Sequence, residues 1–268
     1  MKPSILVVGC GNMGSAMVRG LCLDKWNTKY EFLLYDTVHS KASLLATDLG
    51  LSALSTLREV QSEPFLVLLA VKPHQIESVC QELVGFQKSI FMSVAASISL
   101  ERLQRYLGQN KPIVRVMPNL GVEVGEGVLA IGFNPLLTEE NREDLLFLFS
   151  SLGWVFEADE KDFDQITALS GSGPGLTAVF VEAMMDAGVN IGIPWEKSLK
   201  LVIQTILGTA TWLKTRNCHP GQLKNMVCSP GGTTIAGIQR LELAGFRGII
   251  MDGIEAAYKR SKNIMVEE

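Results

Sequence analysis

Charge is scarce in this chain. Asp, Glu, Lys and Arg make up 19% of its 268 residues, against about 25% in an average soluble domain. What charge there is nearly cancels, 24 basic against 28 acidic side chains for a formal net charge of −4. A mildly acidic chain has no electrostatic reason to seek a phosphate backbone, so no nucleic-acid partner is expected. Long hydrophobic runs are missing too. The longest uncharged stretch, from Gln165 to Val181, contains SGSGPG. It cannot form the roughly 20-residue apolar helix that a bilayer requires, so no membrane partner is expected either. The chain opens MKPSILVVGCG, one lysine and then a strand-like run ending in glycine, which is not the pattern of a secretory leader. Five cysteines (Cys10, Cys22, Cys80, Cys218, Cys228) form an odd set with no CxxC spacing. They read as reduced thiols of a cytoplasmic protein. The three histidines, His39, His74 and His219, are scattered, with no HExxH, no Cys/His cluster and no GxSxG serine. Neither a resident metal nor a Ser–His–Asp triad is expected.

Against so little charge stands an apolar fraction of 47%. With membrane insertion set aside, a large shared interface is where such an excess can go. Its distribution divides the chain. In residues 1–160, short apolar runs alternate with amphipathic stretches: ILVV at 5–8, EFLLYD at 31–36, FLVLLAV at 65–71, SIFMSVA at 89–95, IVRVM at 113–117 and VLAIGF at 128–133. Continuous Val/Ile/Leu runs separated by helical patterns predict a mostly parallel sheet covered on both faces. The acidic stretch EADEKDFD at 157–164 marks the expected boundary. Residues 161–268 then read as helices only, over 175–190, 194–216, 219–227, 234–243 and 245–263, with Pro194 in a first turn. These helices are apolar almost all round. LVIQTILGTATWL at 201–213 carries no charge at all, and such a helix needs cover on most sides. About five of them cannot cover one another, which predicts a helical domain interleaved with a second copy.

Three glycine-rich segments follow. GCGNMG supplies Gly9, Gly11 and Gly14 between a buried strand and a helix, with Asp36 ending the second strand 22 positions after Gly14. In that setting Gly9 makes the tight turn, Gly11 lets a pyrophosphate approach the backbone, and Gly14 permits close helix packing. GEGVLA at 125–130 has similar spacing but precedes a strand, and is rejected on context. A carboxylate at Asp36 suits the ribose 2′-OH of NAD, while Thr37, His39, Ser40 and Lys41 could hold a 2′-phosphate. SPGGTT at 229–234 reads as a second helix N-terminus prepared for an anion, with Thr233 or Thr234 as N-cap. SGSGPG at 170–175 reads as a third loop, where a ligand or a neighbouring backbone comes close. One phosphorylated cofactor and one carboxylate substrate would fill the first two. With no evident His or Lys acid, hydride transfer to an already activated electrophile such as a protonated imine fits best. Lys72 in AVKP follows a buried strand, where cofactor contact is favoured over proton transfer.

These residues resemble the pyrroline-5-carboxylate reductases. The resemblance runs essentially end to end, through GCGNMG, AVKP (70–73), VRVMPN (114–119), SGSGP (170–174), VEAMMDAG (181–188) and, most specifically, HPGQLKNMVCSPGGTTIAGIQRLE (219–242) followed by GFR (245–247). It implies an α/β fold, with an N-terminal Rossmann-like mostly parallel sheet bearing helices on both faces and an all-α C-terminal dimerisation domain. The implied reaction reduces the C=N bond of the pyrroline carboxylate to L-proline with hydride from NADPH or NADH, in a homodimer or a dimer-based higher oligomer. Carried over, Gly9, Gly11, Asn12, Met13 and Gly14 line the pyrophosphate. Ala70, Lys72 and Pro73 lie along the ribose and nicotinamide, with Ala95 and Asn119 nearby. Ser229, Gly231, Gly232 and Thr233 hold the substrate carboxylate, and Thr234 meets the ring nitrogen and delivers or relays a proton. Two positions depart from the family pattern: Gly175 and Leu176 follow SGSGP where Ala and an aromatic are common, and Asp36 stands where Ser, Thr or Arg commonly meets a 2′-phosphate. Alternatives of the same fold are a reductase of a related cyclic imine or a β-hydroxyacid dehydrogenase. An alternative of a different class is a non-catalytic NAD(P)-binding regulator.

Overall fold

The structure is a computed structural model and describes residues 2–264. Its strands are β1 (Ser4–Val8), β2 (Glu31–Tyr35), β3 (Ser52–Ala53), β4 (Leu66–Leu69), β5 (Ile90–Ser93), β6 (Ile113–Pro118), β7 (Gly127–Phe133) and β8 (Gly153–Glu157). Its helices are α1 (Asn12–Leu23), α2 (His39–Leu49), α3 (Ile76–Leu83), α4 (Leu100–Leu107), α5 (Glu139–Ser150), α6 (Phe163–Ile166), α7 (Gly173–Asn190), α8 (Trp195–Arg216), α9 (Pro220–Val227), α10 (Thr233–Leu243) and α11 (Phe246–Ile264). Backbone contacts divide the chain into two compact units, one running to Pro174 and rejoined by the chain from Ala257, the other Gly175–Ala256.

The first unit is built on one eight-stranded sheet in the order β3-β2-β1-β4-β5-β6-β7-β8. Every neighbouring pair is parallel except β6 and β7. Alternate residues of β1 serve different cores. Ile5 and Val7 pack with Met17 and Leu21 of α1, Leu45 of α2 and Leu145 of α5. Leu6 and Val8 pack on the opposite face with Ile76 and Leu83 of α3 and Leu103 of α4. A strand buried on both faces has no polar side to alternate with, which is why these segments read as unbroken apolar runs. The expected mostly parallel sheet with helices on both faces is present. Two of its features were not in the sequence reading. β7 runs antiparallel to β6, and β8 is a further edge strand, parallel to β7 because α5 carries the chain back across the sheet.

The segment leaving the sheet is tied down by polar contacts. Arg115 of β6, 5% exposed, pairs with Glu160 and lies over the Phe163 ring at 4.3 Å. Ser261 donates to Asp164 at 2.7 Å. SGSGPG is no loop. Thr167–Gly171 forms a π-turn, and α7 starts two residues later.

The second unit is helical. α7 and α8 meet closely at Gly188, whose missing Cβ leaves room for the Ser198 side chain, and Ser198 donates to the Met185 carbonyl at 2.7 Å. Pro194 is the N-cap of α8 rather than its first residue. Apolar side chains stay uncovered in the single chain: Val179 on α7, Ile203 and Leu207 on α8, Leu241 and Leu243 on α10, Ile249 and Met251 on α11. Among the described residues of α7 to α10, only Ser198 and Val202 are fully buried. Among the described residues, no helix is long and apolar enough to cross a membrane.

Candidate active site

β1, β4, β5 and β6 run parallel, so their carboxyl ends form one edge of the sheet. The strand order reverses between β1 and β4, and ligands of open α/β sheets bind at such a switch point. The GCGNMG turn lies there. Gly9 has φ +104°, and a Cβ on it would stand 2.6 Å from the Ala70 carbonyl oxygen. Only glycine combines that backbone angle with so close a neighbour. A Cβ on Gly14 would collide with the Gly9 carbonyl, whereas one on Gly11 would meet nothing. The turn is therefore packed from beneath by Gly14 and open above Gly11, the surroundings a pyrophosphate loop needs. Gly11 is the N-cap of α1 and no side chain caps that end, so the first-turn N–H groups at Asn12, Met13 and Gly14 stay available to an anion.

Asp36 comes from the end of β2. Its Oδ2 accepts from the Cys10 N–H at 2.8 Å and its Oδ1 from the Val38 N–H at 2.8 Å. Each carboxylate oxygen keeps a lone pair free for a hydroxyl. Burial, reinforced by the Asp36 charge, pushes the Cys10 thiol up to about 12, so Cys10 is no nucleophile at neutral pH. Lys72 is exposed and N-caps the turn Pro73–Gln75, with its N–H donating to Gln75 Oε1 at 3.3 Å. Ala95 is buried just past β5, its N–H bonded to Ser93 Oγ at 3.2 Å. Ser97 holds a left-handed conformation, φ +65°, while buried, a cost for a residue with a Cβ. Asn119 directly follows β6. The structure thus brings Gly9, Gly11, Asn12, Met13, Gly14, Asp36, Ala70, Lys72, Pro73, Ala95 and Asn119 to one edge.

The residues Ser229 to Thr234 lie together in the other unit, between α9 and α10. Gly231 has φ +69°, and a Cβ on Gly232 would collide with Ser229 Oγ. Gly232, not Thr233 or Thr234, is the N-cap of α10, and no side chain caps the helix. Thr233 and Thr234 are exposed in the first turn. With the Ser229 hydroxyl they surround an uncapped helix N-terminus, the arrangement that receives a carboxylate. Ser93 at the end of β5, Ser97 beyond it and Ser170 in the π-turn are not singled out individually by the sequence, because a lone serine carries no local signal of its partner. Among the described residues no group of three His, Cys, Asp or Glu is placed to hold a metal.

Residues 160–264 match the family description "pyrroline-5-carboxylate reductase dimerisation", and residues 4–97 match "NADP oxidoreductase coenzyme F420-dependent". The pyrroline-5-carboxylate reductase of Aquifex aeolicus is 40% identical over 258 residues, 96% of this chain and 96% of that protein. The chain belongs to the pyrroline-5-carboxylate reductase family. Solved structures of the family agree in shape along nearly the whole length. The enzyme of Streptococcus pyogenes superposes with a TM-score of 0.86 at 34% identity, covering 97% of this chain and 98% of that one. The Plasmodium falciparum pyrroline carboxylate reductase, solved with NADP bound, gives 0.88 at 30% identity with 98% of each chain covered. Membership makes this chain an NAD(P)H-dependent oxidoreductase whose helical part corresponds to the family's dimerisation domain.

Proposed function

We infer that the protein reduces the C=N bond of 1-pyrroline-5-carboxylate to L-proline, the last step of proline biosynthesis. The observation that carries this is the pair of uncapped helix N-termini, one opening α1 behind a glycine turn and one opening α10 behind SPGG. The first suits a pyrophosphate and the second a carboxylate. When bound, NADPH or NADH supplies the hydride. The backbone N–H groups of Asn12, Met13 and Gly14, with the turn at Gly9 and Gly11, would hold the pyrophosphate. Ala70, Lys72, Pro73 and Ala95 line the ribose and nicotinamide. Ser229, Gly231, Gly232 and Thr233 hold the substrate carboxylate through N–H and hydroxyl donors, and Thr234 meets the ring nitrogen to deliver or relay its proton. An iminium needs no stronger acid, which suits a site whose candidate donors are hydroxyls.

Residues 1–160 serve the cofactor and 161–268 the substrate and the second copy. The start of the dimerisation match at residue 160 supports that boundary, whereas backbone contacts divide the chain later, after Pro174. The working form is a homodimer or a dimer-based oligomer in the cytoplasm, without a nucleic-acid partner. The decisive measurement is the steady-state oxidation of NADH and of NADPH in the presence of pyrroline-5-carboxylate. Turnover with either bears the reading out. Cofactor binding without turnover would instead point to a nucleotide-binding regulator.

A further inference from the structure

The side-chain amide of Asn119 is turned to its neighbours in the chain. Its Oδ1 accepts from the Gly121 and Val128 N–H groups, both at 3.2 Å. Its Nδ2 donates to the carbonyl and to Oγ of Ser170, both at 3.3 Å. Both lone pairs of Oδ1 are thus taken, and the donor side of the amide is directed at one serine. Two N–H donors facing Oδ1 and a carbonyl facing Nδ2 also fix which way round the amide sits. Its backbone N–H bonds Val128 of β7 at 3.2 Å, so the side chain is anchored to the sheet and reaches out only toward Ser170.

Ser170 needs that reach. Its carbonyl lies four residues before Pro174, and proline has no N–H to close the helical bond. The turn around it is already a π-turn, with Ser172 N–H bonded to the Thr167 carbonyl at 2.9 Å. It sits hard against β6, since a Cβ on Gly171 would collide with the Met117 methyl. A π-turn persists where tertiary contacts hold it and recurs at functional sites. Here the Asn119 amide supplies the bond that Pro174 cannot. By donating to Ser170 Oγ it also fills a lone pair of that hydroxyl and leaves the hydroxyl proton to point elsewhere. Among the described residues, no acceptor in the chain takes that proton.

The place of Ser170 says what could. Asp36 ends β2, on the adenosine side of the glycine turn. The opposite direction along the same edge, over β4, β5 and β6, belongs to the nicotinamide half of a dinucleotide. Ser170 is pinned at the end of β6. We propose that Ser170 is the hydrogen-bond donor to the carboxamide oxygen of the nicotinamide, and that Asn119 is a positioning residue acting through it. This rests on the dinucleotide reading above.

The test compares dinucleotides with and without the nicotinamide. In Ser170→Ala, NADH binding measured by fluorescence titration weakens about 5- to 10-fold, the usual worth of one hydrogen bond, while ADP-ribose binding stays within twofold. The kcat falls about 10-fold. Asn119→Ala shows the same split. It also gives faster amide exchange across residues 167–172 and at Gly121 and Val128, which lose their acceptor, with β6 and the rest of β7 unchanged, and Asn119→Ala/Pro174→Ala regains part of the protection at 167–172. If Asn119→Ala does not fold, Ser170→Ala decides alone. Wild-type affinity for both ligands in Ser170→Ala, or equal loss of both, would overturn the proposal. Wild-type protein that binds neither NADH nor NADPH would sink the dinucleotide reading instead, a separate result.

Discussion

The carboxylate of Asp36 is hydrogen-bonded to the backbone N–H of Cys10, 26 residues earlier, at 2.8 Å. That bond braces the first glycine turn from the end of the neighbouring strand, while the second oxygen closes the turn at Val38. One side chain thus braces the first glycine turn and leaves a carboxylate beside it at the end of β2.

Asp36→Ser separates these two roles. Losing the charge raises the ratio of kcat/KM for NADPH to that for NADH by about tenfold or more, because the like-charge repulsion is gone. Losing the brace leaves the Cys10 N–H without its partner and costs roughly 1–3 kcal/mol of stability, read as a lower Tm. An unchanged cofactor ratio would mean that Asp36 is a brace alone.

The three glycines of the turn differ in what a methyl group would strike. Gly14→Ala drives a Cβ into the Gly9 carbonyl, and overpacking against backbone costs at least about 1–3 kcal/mol. Gly11→Ala meets nothing in the chain and keeps the Tm of the parent, yet it weakens NADH binding. A Gly11→Ala protein with wild-type affinity would remove the pyrophosphate from that spot.

Thr234→Ala at the start of α10 is expected to lower kcat by about 10- to 1000-fold, the scale of a lost proton donor or oriented hydrogen bond. Thr234→Ser, which keeps the hydroxyl, recovers most of the rate. If the alanine variant turns over normally, the proton reaches the ring nitrogen from another group.

Cys10 and Cys80 are both pushed up from 9.0 to about 12, by burial first and by the nearby Asp36 and Glu77 charges second. Their neutral forms are favoured in the fold. This contribution to stability is complete below pH 9 and disappears as the pH climbs from about 9 to 12. Iodoacetamide at pH 8.5 leaves both unmodified in the folded protein and alkylates both in guanidinium. Rapid native labelling of either would contradict this picture.

How much was visible beforehand follows the range of the interactions. β1, β4 and β5 were legible because burial on two faces writes itself into consecutive residues. The two glycine turns that open α1 and α10 were legible because a turn and the helix it opens are adjacent in sequence. β8 was not: as an edge strand it leaves Trp154 exposed, and its short GWVFE run abuts the acidic stretch. SGSGPG reads as a loop, since three glycines and a proline disfavour helix. What holds it helical is the Asn119 amide, 51 positions away. The brace from Asp36 to Cys10 was hidden for the same reason. Spacing named the residues, but only tertiary structure tells which of them are occupied by their neighbours.

The helices of the second unit bury almost nothing among themselves, with Ser198 and Val202 the exceptions across α7 to α10. A unit with so small an interior of its own draws its stability from association, and association obeys mass action. Its melting temperature therefore climbs with protein concentration. Dilution does not release a working protomer but starves the helices of the surface that keeps them folded, so the specific activity of a very dilute sample decays with time and is preserved by concentrating it.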